Sequence, residues 1–248
     1  LVIGGAPGMP GALLLTGEAA LRAGAGLVTI ATHPDHAACL NLTRSELMVS
    51  GISEPGELSR LIERADVIAI GPGLGRSDWG RRLWDRVKGL ELPLVVDADA
   101  LNLLAMSPCA GPDWILTPHP GEAARLLGLS IADIERDRLQ AAHDLQQRYG
   151  GVAVLKGAGT LIDGGAQQTP AVCSDGNPGM ATAGTGDVLT GVIAALRGLG
   201  LGAGEAACVG VCLHAAAGDQ AARGGERGLI AGDIIAALRP MVNRIGED

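Results

Sequence analysis

Short apolar runs closed by Gly, Pro or Asp alternate along this chain with longer stretches of helical periodicity. The short runs predict strands at about Leu1–Gly4, Leu27–Ala31, Val67–Ile70, Leu94–Asp97, Trp114–Thr117 and Val152–Lys156, with a weaker pair near Thr160–Ile162 and Ala171–Cys173. Helical patterns fill the gaps, most clearly at Gly11–Ala23, Glu57–Arg64, Trp79–Val87, Gly121–Leu127, Ile131–Tyr149, Asp187–Leu199, Gly204–Arg223 and Ile230–Val242. Ser130 with Asp133 three residues on reads as a capping box with a shorter acid. This alternation is a βαβ progression, which predicts a three-layer α/β/α fold around a mostly parallel sheet. Beyond Gly176–Gly186 the character changes to helices dense in Ala and Gly with little strand signal, fit for close packing and for contact with a neighbouring subunit. No repeat, low-complexity tract or long linker interrupts the pattern, so a single domain over residues 1–248 is expected.

Composition sharpens that picture. Of 248 residues 47% are apolar, but with three Trp, one Tyr and no Phe the core must be aliphatic, as in a parallel sheet covered on both faces. A net charge of −8 with no basic cluster argues against a nucleic-acid surface. The five cysteines are odd in number and scattered, poor material for a disulfide framework, which favours the cytoplasm. Cys208, Cys212 and His214 have a passing look of metal ligands, yet their run reads as a small-residue helix, and packing is the preferred role. No apolar run reaches membrane-spanning length and no basic-then-apolar signal opens the chain. Leu1 falls directly in a predicted strand, so residues upstream are expected in the longer protein.

The candidate chemistry lies just after the strands, where open parallel sheets bind ligands. The most informative segment is Asn177-Pro178-Gly179-Met180-Ala181-Thr182-Ala183-Gly184-Thr185-Gly186-Asp187. It supports two readings: backbone N–H groups at Gly184 to Gly186 and the following helix's positive end hold an anion beside the Asp187 carboxylate, or Thr185 or Asp187 merely caps the helix. Neither a Walker-type phosphate loop nor the Gly-x-Gly-x-x-Gly spacing of a dinucleotide fold is present. Asp97 and Asp99 form a carboxylate pair that could organise a magnesium ion through water or serve as base, or supply a turn and an N-cap for a helix from near Ala100. His119, between two prolines, is held on a loop and favours ligand contact. Lys156 ends a strand and can reach towards a phosphate, or is an ordinary strand-end lysine. Glu122 suits a helix's first turn, and His33, His36 and His143 carry no argument.

Taken together, Gly4–Ala12, Ala19–Gly26, Gly71–Gly73, Asp97–Asn102, Thr117–Glu122, Lys156–Thr160 and Asn177–Asp187 resemble the ADP-dependent NAD(P)H-hydrate dehydratases, within the ribokinase-like superfamily. The blocks cover nearly the whole chain in order, and the Thr-Pro-His-Pro-Gly-Glu and Gly-Thr-Gly-Asp blocks together are the specific ones. The resemblance implies an enzyme that restores the S form of hydrated NADH or NADPH with ADP as phosphoryl donor and magnesium, releasing AMP, phosphate and NAD(P)H. It implies Asp187 as the base, with Ala12, Gly73, His119 and Asp187 as contacts to the hydrated dinucleotide. Lys156, Gly157, Ala158, Gly159 and Thr160, with Gly184, Thr185 and Gly186, fall to the adenine nucleotide and the moving phosphoryl group. A homotetramer, and fusion to or partnership with an epimerase of the two hydrate forms, are implied as well. The rivals are a ribokinase-like kinase of a small hydroxylated heterocycle and a non-catalytic nucleotide-binding module.

Overall fold

The computed structural model describes residues 1–165 and 169–243, so residues 166–168 and 244–248 of the predicted single domain lie outside the described residues. The strands are β1 Val2–Ile3, β2 Thr29–Thr32, β3 Met48–Gly51, β4 Ile68–Ile70, β5 Leu94–Val96, β6 Trp114–Leu116, β7 Val152–Leu155, β8 Thr160–Asp163 and β9 Ala171–Cys173. The helices are α1 Pro10–Arg22, α2 Pro34–Thr43, α3 Ser59–Ile62, α4 Asp78–Val87, α5 Ala98–Met106, α6 Pro120–Leu127, α7 Ile131–Arg136, α8 Arg138–Tyr149, α9 Thr185–Gly198, α10 Ala203–Ala221 and α11 Ala231–Val242.

The strands form one sheet in the order β3-β2-β1-β4-β5-β6-β7-β8-β9. Pairing is parallel from β3 through β7, and β8 and β9 add an antiparallel edge. Because side chains alternate across a strand, each strand feeds two cores. Val2, Ile30, Val95, Ile115 and Val154 meet α1, α9, α10 and α11 on one face. Ile3, Ala31, Val96, Leu116 and Leu155 meet α4, α5, α6 and α8 on the other, which makes three layers. The Ala- and Gly-rich composition is used literally, since a Cβ at Gly191 of α9 would overlap the Thr16 carbonyl of α1.

Several predicted elements change. The helix expected over Ile131–Tyr149 is two helices, broken at Asp137 (φ −143°, ψ 81°), whose carboxylate accepts from Gln140 N–H and caps α8. The Ser130/Asp133 capping box is present at α7. The helix expected at Glu57–Arg64 shrinks to a 3₁₀ turn, Pro55–Leu58, and the single turn of α3. Helix α2 and strand β3 carried no usable pattern: α2 buries only Leu40, and β3 is a partly exposed edge strand.

The chain order reverses between β1 and β4, which lie side by side and point the same way. Their following loops are laced together, with Gly5 N–H donating to Pro72 O (3.2 Å) and Ala6 N–H to Gly73 O (2.6 Å). That switch point is where an open α/β sheet leaves a crevice at its carboxyl edge.

Candidate active site

Two cavities open along this edge and meet at the first turn of α9. The first, about 500 Å³, is lined by Gly8, Met9, Gly11, Ala12, Gly73, Ala98, Asp99, Asn102, His119, Glu122, Arg125 and Asp187. The second, about 480 Å³, is lined by residues 156–160, 173–178, Met180, Ala181, Thr185, Gly186, Leu189, Val211, His214 and Ala215. The fold thus brings Ala12, Gly73, His119 and Asp187 to one cavity, and Lys156–Thr160 with Thr185 and Gly186 to the other.

The turn between them is built for backbone contact. Gly184, at φ +89°, is the N-cap of α9, a left-handed conformation that suits glycine. Val188 N–H begins the helix ladder on Gly184 O (3.1 Å), leaving the preceding N–H groups at the helix mouth. Neither Thr185 nor Asp187 is the cap. The Thr185 hydroxyl points at the Met180 and Thr182 carbonyls, 3.0 Å from each, and fixes the loop instead. Asp219 of α10 secures the loop's start, accepting from Gly176 N–H (3.0 Å) and Asn177 Nδ2 (2.9 Å).

Of the two carboxylates at the end of β5, one takes the N-cap position that the spacing allowed, and both have partners of their own. Asp97 occupies the N-cap position of α5 but makes no capping bond with its side chain. It is buried, its Oδ1 accepting from Lys156 Nζ (2.9 Å) and its Oδ2 from Thr190 Oγ1 (2.8 Å). Asp99 accepts from Gly75 N–H (2.9 Å) and Asn102 Nδ2 (3.4 Å). Among the described residues no three His, Cys, Asp or Glu side chains gather as a metal cage. A magnesium ion here would be held through water and nucleotide phosphates, with Asp99, Glu122 and Asp187 the carboxylates on the first cavity's wall. Lys156 is no ordinary surface lysine: its Nζ also lies 4.0 Å from Glu122 Oε2.

His119 does two things. Its Nδ1 accepts from Gly121 N–H (3.0 Å) at the start of α6, while its Nε2 lies 3.5 Å from Glu122 Oε1 at the cavity wall. Glu122 is buried, its Oε2 accepting from His119 N–H (2.8 Å) to complete a capping box.

Crowding sets the charges. Burial, then the Asp97 carboxylate, pushes Asp187 from 3.8 up to about 7, against the pull of Lys156. Glu122 rises to about 7, chiefly by burial. Burial would lower Lys156, but the Asp97 and Glu122 carboxylates outweigh it and hold the ammonium above its ordinary value. His119 is lowered, first by burial and then by Lys156 and Arg125, so it is neutral near pH 7.

Arg138 carried no sequence signal, and His214 carried one only as a packing residue. Arg138 Nη2 donates to the carbonyls of Leu155 (3.3 Å), Lys156 (3.4 Å) and Gly159 (3.2 Å), pinning the 156–160 loop from behind. Gly157 makes room for it, since a Cβ there would stand 2.6 Å from Arg138 Nη1. His214, read as packing, does sit on the predicted helix, but it lines the second cavity. Its Nε2 is buried without a partner among the described residues, and burial lowers its pKa to about 4.

Sheet order, glycine-capped helix mouth and twin cavities define a ribokinase-like α/β protein. The solved structure of a ribokinase-like superfamily protein from Enterococcus faecalis V583 agrees at a TM-score of 0.91 and 31% identity, covering 100% of this chain and 87% of that one. The family model for NAD(P)H-hydrate dehydratase matches residues 1–239, and the chain belongs to that family. It is 53% identical over 244 residues to a bifunctional NAD(P)H-hydrate repair enzyme of Coxiella burnetii, covering 98% of this chain and 50% of that protein. An ADP/ATP-dependent NAD(P)H-hydrate dehydratase from Bacillus subtilis, co-crystallised with ATP/Mg²⁺ and soaked with CoA, agrees at a TM-score of 0.85 and 28% identity, covering 98% of this chain and 90% of that one. The chain spans about half the length of the curated relatives it matches.

Proposed function

We propose that residues 1–248 form a single domain that dehydrates the S form of hydrated NADH or NADPH at the expense of ADP. The observation that carries this reading is the position of Asp187, on the wall of the first cavity at the helix mouth where the second begins. The nucleotide would occupy the second cavity, its transferable phosphoryl group at the N–H groups of Gly184 to Gly186. The hydrated ring would lie in the first, against Ala12, Gly73 and His119. Asp187 takes the proton from the ring hydroxyl as that oxygen bonds to phosphorus and AMP departs. The ring nitrogen's lone pair then expels phosphate by breaking the C–O bond, and loss of a proton from the adjacent ring carbon restores the dihydropyridine. The chain's own residues supply position and charge stabilisation, the main demands of phosphoryl transfer.

Magnesium would enter with the nucleotide phosphates. A homotetramer, action beside an epimerase and a cytoplasmic setting complete the proposal. It is compatible with the bifunctional relatives and with the lack, among the described helices, of one long and apolar enough to cross a membrane. The test is regeneration of NADH absorbance from the hydrate with ADP or ATP, in wild type and Asp187→Asn. Turnover in wild type and its loss in the variant, with nucleotide affinity retained, is expected. Near-normal turnover in Asp187→Asn would sink the base assignment, and a wild type that instead phosphorylates a hydroxylated heterocycle would favour a kinase.

A further inference from the structure

Between the two cavities runs a buried polar strut, Lys156–Asp97–Thr190, in which Asp97 and Thr190 have no role assigned by the resemblance. Asp97 and Thr190 are 1% and 0% exposed, and together with Lys156 they join three elements that are far apart in sequence. A buried ion pair is a poor source of stability, because desolvation of both charges offsets their attraction. This one is nevertheless firmly held. A Cβ at Gly71 would overlap the Asp97 carbonyl, and Ala98, the next residue, is the one described non-glycine with a left-handed backbone (φ +46°). Strain of that kind persists where the surroundings fix it, commonly at functional sites.

The strut's geometry states its purpose. Lys156 Nζ rests against the opening turn of α9, where a Cβ on Gly186 would stand 3.2 Å away. The ammonium therefore sits at the junction through which a phosphoryl group would pass from one cavity to the other. We propose that Asp97 and Thr190 are positioning residues that hold the Lys156 ammonium at the mouth of α9 to meet the phosphoryl group in transit. This role rests on the proposed dehydratase reading of the site. A cation fixed in advance stabilises developing charge without reorganising at the moment of reaction, whereas a free lysine would have to be ordered first. Removing Thr190's hydroxyl leaves Asp97 Oδ2 unpaired and frees the carboxylate, and with it the ammonium, to turn.

A second consequence separates positioning from mere support. Asp187 is faced by Asp97 at the end of β5 and Asp99 in the first turn of α5, by His119 at the N-cap of α6 with Glu122 and Arg125 on that helix, and by Lys156 just after β7. Neutralising Asp97 removes a negative neighbour, so the acidic limb of the pH–rate profile should move to lower pH.

The experiment compares Thr190→Val, Thr190→Ser and Asp97→Asn with wild type in the full chain, measuring kcat and the KM for ADP. In Thr190→Val, kcat should fall about tenfold or more with the KM for ADP within about threefold, as expected for a misplaced charge. Thr190→Ser should recover most of the loss. Asp97→Asn should lose about a hundredfold in kcat and show the acidic limb displaced downwards. A second readout needs no turnover: acylation of Lys156 by an N-hydroxysuccinimide ester, followed by peptide mass spectrometry, should be faster in Thr190→Val. A wild type inert towards the hydrate defeats the reading of the site, while the labelling still judges the strut. Unchanged labelling, normal kcat in Thr190→Val, or an activity loss that serine does not restore overturns the positioning role.

Discussion

Asp187→Asn should make the protein more stable at alkaline pH while removing its proposed chemistry. In the folded chain the Asp187 carboxyl is held at about 7 instead of 3.8, first by burial and then by the Asp97 charge. The sign is opposite to that of a salt-bridged aspartate. Here the native state keeps a proton that the unfolded chain has already released, so stability falls as pH rises between the two values and stays low above the upper one. Each pH unit in that window is worth about 1.4 kcal/mol, and the two units from pH 5 to about 7 cost the wild type on the order of 2–3 kcal/mol through this single group. Asparagine carries no such cost. For a chain of this size 1 kcal/mol moves Tm by roughly 2–4 °C, so the Tm of Asp187→Asn minus that of wild type should widen by about 5–10 °C between pH 5 and pH 8. Comparing the variant with wild type at both pH values cancels the titrating groups that do not feel Asp187; Glu122 does feel it, so the gap reports the coupled pair. Thermal melts by circular dichroism, checked by urea midpoints, would measure it. A gap that is constant or narrows towards pH 8 would refute the reasoning, because Asp187 would then ionise in the folded state as it does in solution.

Other variants probe the two cavities separately. His119→Ala should weaken hydrate binding while leaving the KM for ADP near wild type; an unchanged apparent affinity for the hydrate would remove His119 from that cavity's function. Gly186→Ala places a methyl 3.2 Å from Lys156 Nζ without needing a left-handed backbone, so turnover should fall about tenfold or more while Tm moves by only a few degrees. Equal kcat would mean that the ammonium has no part in transfer. Arg138→Met keeps the stem but removes the donors to the last carbonyl of β7 and to two loop carbonyls. It should raise the KM for ADP several-fold at little cost in kcat, measured by initial rates, and an effect on kcat alone would point away from the loop.

The elements that were legible in the chain are those whose signal is local. Buried strands such as Leu94–Val96 and Trp114–Leu116 announce themselves by unbroken apolar runs, and α6 by its helical pattern and the Glu122 of its first turn. Helix α2 escaped because only Leu40 of it is buried, leaving no apolar stripe to read. The break at Asp137 escaped because a helical pattern continues across it on both sides.

By itself the sequence determined the βαβ order, the glycine-rich strand ends and the Gly184–Asp187 turn, since periodicity and turn chemistry act over a few residues. It left the turn divided between anion hole and cap, and there the tertiary structure decided: Gly184 is the cap, and Asp187 is free to face the first cavity. Only the fold could decide what Asp97, Lys156, Thr190 and Arg138 do, because their partners lie 59, 93 and up to 21 residues away. Only the fold, too, could set the protonation of Asp187 and Glu122. Charge and burial at a point in space depend on which strand ends the sheet order brings together, and no local pattern of residues carries that information.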